Sequence, residues 1–268
     1  MVDVVARLSP SLLAHLKVVI ADEHNLVAVD DWDELDTAVR SFPADVVIAD
    51  PRADGTVRML ELRSLLAQYS TVPVVLYTTL TPETLRATVE LAKHGVQQVV
   101  IRGFDDEPRR FRLLLDRLSA YELSDRLLDE LVEPLSQIPV PLARAVERLF
   151  RMPHAFHEVN DLAGAAGMSR RTLDRWLSRA GLAPARVMLI GARLVRAYHY
   201  MSDSGYLLED VTKKLGYPSG RVFARQVRSF TGLTPSALRR KSPGPEQFMT
   251  QLTALLYRRR EDSPHALR

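Results

Sequence analysis

The chain has no cysteine, so disulfides and thiolate metal sites are excluded. It has no apolar run near the ~18 residues that a membrane span needs. Its start, MVDVVARLSP, lacks the basic flank and long apolar stretch of a secretory signal, so a cytoplasmic protein is expected. It contains no G-x-x-x-x-G-K-[ST] and no G-x-G-x-x-G, the loops that cradle phosphates. It also has no G-x-S-x-G elbow and no H-E-x-x-H pair. Enzymes built on those devices are thereby set aside, and neither cofactor nor metal is expected. His154 and His157 are close in sequence, but without further ligands they do not make a metal site. Aromatic residues are scarce at 7%, whereas an apolar content of 46% is ordinary for a globular chain.

The charge is present but unevenly spread. Residues 1–105 hold 9 Lys+Arg against 15 Asp+Glu, and residues 106–139 hold 5 against 8. Residues 140–268 hold 22 against 10, and 19 of those 22 are arginine. A net of +3 therefore hides an acidic front and a strongly basic back. The back has the electrostatic footprint of a nucleic-acid binder.

The front half alternates strand and helix signals. Strands are expected over 2–8, 26–29, 44–50, 72–77 and 96–101. Helices are expected over 11–21, 33–42, 57–68, 82–95 and 106–121. Five β-α units predict a parallel sheet covered by helices on both faces, a doubly wound flavodoxin-like fold. The pentapeptide VVIAD occurs at 18–22 and again at 46–50. Its first copy falls in a helix and its second in a strand, so the identity is a coincidence and not a repeat. Leu127, Leu128, Leu131 and Leu135 suggest a short helix over 122–139, broken by Pro134 and read as a linker. The expected division is 1–121, 122–139, 140–241 and a tail, 242–268. In the tail Phe248, Leu252, Leu255 and Leu256 share one face.

From residue 140 on, the pattern is helical. In DLAGAAGMSRRTLDRWLSRAG, residues 161–181, one helix stops near Gly167 and a second starts after Ser169. Leu173 and Leu177 face inward, and Arg171 and Arg175 lie one turn apart outside, with Asp174 adjacent. In LLEDVTKKLGYPSGRVFARQVRSFTGLTPSALRR, residues 207–240, a helix stops at Gly216 and another starts after Ser219. Phe223 and Val227 face inward, while Arg221, Arg225 and Arg228 recur at i, i+4, i+7. Two helix-turn-helix units thus each present arginines on the second helix. Such a helix fits the major groove, where Arg pairs with guanine through two hydrogen bonds. A single helix over 184–202, about 27 Å long at 1.5 Å per residue, joins the units.

These residues, with the GY-x-S-x3-F-x-R core and the closing G-x-TP-x4-R, resemble the DNA-binding domain of AraC/XylS-type transcription regulators over about 140–240. The resemblance implies base contacts from Arg171, Asp174, Arg175, Gly220, Arg221 and Arg225. It implies phosphate contacts from Arg170, Arg179, Arg228 and Lys241. Val227 and Leu238 stand where that family usually has aromatics, and Trp176-Leu177 replaces a more usual bulky pair. The implied partners are double-stranded promoter DNA, RNA polymerase and a second copy of the chain bound through its first domain or linker.

The front half resembles a response-regulator receiver. There an aspartate ending strand three takes a phosphoryl group, beside a Mg²⁺ held by acids after strand one. A hydroxyl after strand four and a lysine after strand five bind the phosphoryl oxygens. Asp50 and Thr78 match the acceptor and the hydroxyl. Arg102 stands in the lysine's place, and Gly103 follows it where a proline is usual. Asp22-Glu23 imitates the acidic pair but lies too near Asp50. The intervening 27 residues cannot hold the nearly 40 that two helices, a strand and their loops require. With strand one at 2–8, the residues that follow are Arg7, Leu8, Ser9 and Pro10, none of them acidic. A pseudo-receiver that works without phosphorylation is therefore expected. The alternatives are a true response regulator switched at Asp50, and an enzyme on a flavodoxin-like domain.

Overall fold

A computed structural model describes residues 2–20, 23–118, 122–241 and 244–257, without the side chains of Glu122 and Lys241. The chain divides into two compact units, one gathering 1–120 with 203–207, the other 121–202 with 208–268. No helix among the described residues is long and apolar enough to cross a membrane.

The first unit is built on a parallel five-stranded sheet: β1 (Asp3–Arg7), β2 (Asn25–Ala28), β3 (Val46–Ala49), β4 (Val74–Thr78) and β5 (Gln98–Ile101). The order is β2-β1-β3-β4-β5, the doubly wound arrangement with its switch point between β1 and β3. β1, β3 and β4 are buried at every position, which is why VVIA and VVLYT read as unbroken apolar runs. Val4, Ala6, Val46, Ile48, Val75, Tyr77 and Val100 fill one core, at the period of two that a strand imposes. Leu12, Leu16, Val19 and Ile20 of α1 (Pro10–Ile20) cover that face, with Phe111 and Leu115 of α5 (Pro108–Leu118). Tyr77, fully buried, donates its hydroxyl to Asp106 at 2.8 Å, which satisfies the one polar atom it brings inside.

Caps place the remaining helices. Asp31 accepts from the Glu34 N–H at 2.6 Å and starts α2 (Trp32–Ser41). α3 spans Met59–Gln68. Thr81 and Thr84 cap each other's backbone N–H and start α4 (Pro82–Ala92), with Pro82 at the first helical position. The first VVIAD copy lies in the last turn of α1 through Ile20; Ala21 and Asp22 fall outside the described residues. The second copy is β3 followed by Asp50.

The Ser202–Gly205 stretch reads in the sequence as a break between helices, yet residues 203–207 belong to the first unit. The Asp203 carboxylate accepts from the Ser70 hydroxyl and the Thr71 N–H, each at 3.0 Å, and from the Thr71 hydroxyl. Burial still pushes its carboxyl above the usual range. Gly205 donates to the Gln68 carbonyl at 3.0 Å, and a Cβ there would stand 2.4 Å from the Tyr69 ring.

The second unit is helical: α6 (Glu122–Glu130), α7 (Val132–Ser136), α8 (Val140–Arg151), α9 (Val159–Ala165), α10 (Arg170–Arg179), α11 (Ala185–Ser202), α12 (Leu208–Lys214), α13 (Gly220–Thr231), α14 (Pro235–Lys241) and α15 (Pro245–Leu256). The stretch expected as a linker forms α6 and α7 and packs within this unit. Leu127, Leu128, Leu131, Leu135 and Ile138 are buried, and Ser124 donates to the Phe150 carbonyl at 2.8 Å. The break falls at Leu131, not at Pro134. Pro134 sits in the first turn of α7, where its missing N–H has no partner to lose.

α15 docks through Phe248, Leu252 and Leu256, whereas Leu255, expected on the same face, is 44% exposed. Phe248 stacks on Tyr198 at 4.3 Å between ring centres, and Glu246 receives Arg126 on both oxygens at 2.7 Å. The Ala183 N–H donates to the Leu256 carbonyl at 2.8 Å. Gly191 lets Leu256 approach, since a Cβ there would lie 2.8 Å from its side chain.

Candidate nucleic-acid interface

Both helix-turn-helix units are assembled by the same local devices. α9 ends at Gly167, whose φ of +64° favours glycine, and Ser169 caps α10 by accepting from the Thr172 N–H at 3.3 Å. α12 ends at Gly216 with φ +67°, and Ser219 caps α13 by accepting from the Val222 N–H at 3.4 Å. Leu173 and Leu177 hold α10 to its unit, and Phe223 and Val227 hold α13. Val227 and Leu238, smaller than the aromatics expected there, are both buried. Trp176 is half-buried, with the Arg179 guanidinium over its ring at 5.4 Å.

What these helices turn outward is a set of free cations. Arg170, Arg171, Arg175, Arg221, Arg225 and Arg228 are exposed, and none has an ion-pair or hydrogen-bond partner among the described residues. Gly220 opens α13 on the same exposed surface. By contrast, five arginines of the first unit, Arg7, Arg40, Arg52, Arg58 and Arg112, are each paired with a carboxylate. Like charges repeated along one exposed helix repel, and their free energy falls when an external polyanion neutralises them. The Lys241 side chain lies outside the described residues.

Asp174 has a role that its spacing did not reveal. Its carboxylate accepts from the Ala185 N–H at 3.0 Å, so it satisfies an open donor in the first turn of α11. Within the α10 set the roles thus differ: Arg171 and Arg175 point outward, while Asp174 ties α10 to the 18-residue α11.

In the first unit, the structure brings together two of the expected phosphoacceptor residues and separates the third. Asp50, 4% exposed, accepts from the Thr78 hydroxyl at 2.9 Å and from the Arg52 N–H at 3.0 Å. Arg102 instead reaches the Ser11 hydroxyl on α1. Glu23 pairs with Arg112 of α5. At the end of β1, where a receiver keeps its acids, Arg7 pairs with Asp54. Asp54 also accepts from the Trp32 indole N–H at 3.1 Å and meets Arg58 at 3.3 Å. Among the described residues no group of three or more His, Asp or Glu could hold a metal ion. A divalent cation needs oxygen ligands, and a guanidinium standing in that place does not fit one. The Arg7–Asp54 pair joins residues 47 positions apart, and nothing in their local sequence announces it.

Residues 162–241 match the family model described as a helix-turn-helix domain. Beside the doubly wound sheet above, the helix-turn-helix domain supports a DNA-binding regulator. Its residues 162–241 are an AraC-type helix-turn-helix domain. Among solved structures, full-length FixJ from B. japonicum matches at 16% identity, covering 87% of this chain and 98% of that one, with a TM-score of 0.40. NtrX from Brucella abortus matches at 15% identity over 64% of this chain, which spans 42% of NtrX, with a TM-score of 0.40. No curated protein matches the chain in sequence.

Proposed function

We propose that this chain is a sequence-specific transcription regulator that reads two adjacent major grooves with α10 and α13. The observation that carries the reading is the pair of outward, unpartnered arginine arrays on the second helix of each helix-turn-helix unit. α11, about 27 Å long, is of the order of the ~34 Å between successive major grooves on one face of DNA. Arg171, Arg175, Arg221 and Arg225 read bases, and Arg228 and Arg179 hold phosphates. Selection of bound duplexes from a random pool by the full-length protein tests this. Two conserved half-sites about 10 bp apart are expected. Arg171→Ala and Arg221→Ala should each relax preference at one half-site and cost about 1–3 kcal/mol. Binding that ignores sequence would sink the proposal.

The first unit, in this reading, controls DNA binding without phosphorylation of Asp50. Arg7, at the end of β1 where a receiver would have its acids, is paired with Asp54, and the Asp50 carboxylate already has donors from Thr78 and Arg52. Self-association through the first unit belongs to the same proposal: Leu85 and Val89 stand one turn apart on α4, 54% and 57% exposed. The contact between Asp50 and Thr78 favours a second reading, a working phosphoacceptor. Incubation with a small phosphodonor and Mg²⁺, followed by intact mass, separates the two. A phosphoryl gain that Asp50→Asn abolishes would overturn phosphorylation-independent control.

A further inference from the structure

Arg186 stands outside every role assigned above. It is the second residue of α11, is exposed, and has no ion-pair or hydrogen-bond partner among the described residues. It lines a polar cleft of about 240 Å³ with Arg170 from α10, Arg193 from α11 and Gln226 from α13. The cleft therefore touches both recognition helices and the helix that connects them.

Its walls differ in freedom. Arg193 is fixed, donating to the carbonyls of Phe156 and His157 at 2.9 Å each, with its guanidinium over the Tyr217 ring at 5.4 Å. Arg170 and Arg186 are free to close on a ligand. One carboxylate, Glu158, shares the lining, so Arg170, Arg186 and Arg193 outweigh it by two charges. The volume falls below the ~300 Å³ at which drug-sized ligand sites begin, yet it accommodates a tetrahedral oxyanion with water. The first turn of α10, which begins at Arg170, adds the positive end of a helix dipole.

We propose that this cleft seats a backbone phosphate of the DNA strand crossing between the two major grooves, with Arg170 and Arg186 as its closing cations. The inference rests on the DNA-binding reading above and deepens it. A phosphate contact there carries affinity but no sequence information, and it fixes the register of both recognition helices on the duplex at once.

Fluorescence anisotropy of the full-length protein across a KCl series, on a selected duplex and on its scrambled version, provides the test. Arg186→Ala should weaken both duplexes by about 5-fold and lower the slope of log affinity against log salt by about 1. Arg186→Lys, which keeps the charge, should retain most of the affinity. Glu158→Gln should tighten binding. A neutral methylphosphonate placed between the two protected grooves should weaken the wild type more than it weakens Arg186→Ala, in which Arg170 still faces that phosphate. The proposal is overturned if Arg186→Ala keeps the wild-type affinity and slope on a duplex that Arg221→Ala no longer binds. If instead Arg221→Ala binds as the wild type, groove reading by α13 fails, and the slope and methylphosphonate results still decide the role of Arg186.

Discussion

At the scale of single residues, burial without a partner is the most legible source of stress. The Tyr217 hydroxyl is buried and finds no hydrogen-bond partner among the described residues. Burial pushes its phenol up from 10.0 to about 12, against the opposing pull of Arg193. A raised phenol favours the neutral form in the folded state. That contribution is complete below pH 10 and is lost as pH climbs through 12, on the order of 2–3 kcal/mol by linkage. Tyr217→Phe should therefore lose less of its urea midpoint between pH 10 and 12 than the wild type, since the raised phenols of Tyr69 and Tyr77 remain in both. Near pH 8 it should match or slightly exceed the wild type, because no hydrogen bond is given up. A clear loss of stability at pH 8 would mean that the hydroxyl has a partner after all. Arg102 teaches the opposite lesson about reading residues. Its place after β5 was legible, but the direction of its side chain, toward Ser11, depends on a helix some ninety positions away.

Elements were legible wherever a local device makes them. Ser169, Ser219, Asp31 and Thr81 announce their helices because a cap is a contact within three residues. What an amphipathic stripe cannot state is its partner. Leu127 and Leu131 showed that α6 buries a face, yet not that this face belongs to the core of the second unit. Asp174 was hidden for the same reason, since its acceptor role spans the turn from α10 to α11. Removing that cap in Asp174→Ala should cost about 1 kcal/mol of unfolding free energy, whereas Asp174→Asn keeps an acceptor and should cost much less. If Asp174 reads a base instead, Asp174→Asn would change the selected DNA sequence and leave stability alone. α15 is held mainly by the Phe248 ring on Tyr198, so Phe248→Ala should lower stability by about 3 kcal/mol in urea titration.

On the scale of the whole molecule, charge asymmetry was the clearest signal, and it separates two kinds of arginine. Five of the first unit, Arg7, Arg40, Arg52, Arg58 and Arg112, are paired with carboxylates, while Arg170, Arg171, Arg175, Arg221, Arg225 and Arg228 have no such partner among the described residues. DNA affinity should accordingly fall steeply with salt, by about 0.9 in log slope for each phosphate neutralised. A slope near zero, measured by anisotropy on any duplex, would remove the electrostatic case for an interface. The parallel, doubly wound sheet was equally open to reading, because strand and helix signals alternate through the front half. The membership of residues 203–207 was not, since a five-residue segment carries no periodicity by which to assign it.

If control is independent of phosphorylation, as proposed, the arginine at the end of β1 bears on what the protein listens to. A cell holds many kinases and small phosphodonors, and any carboxylate with a metal beside it is open to all of them. Under the proposed phosphorylation-independent control, a site whose guanidinium is locked to Asp54 would offer those donors no ion to work through. Insulation of this kind would remove cross-talk from neighbouring circuits and make the protein's own abundance and its binding partners the inputs to test.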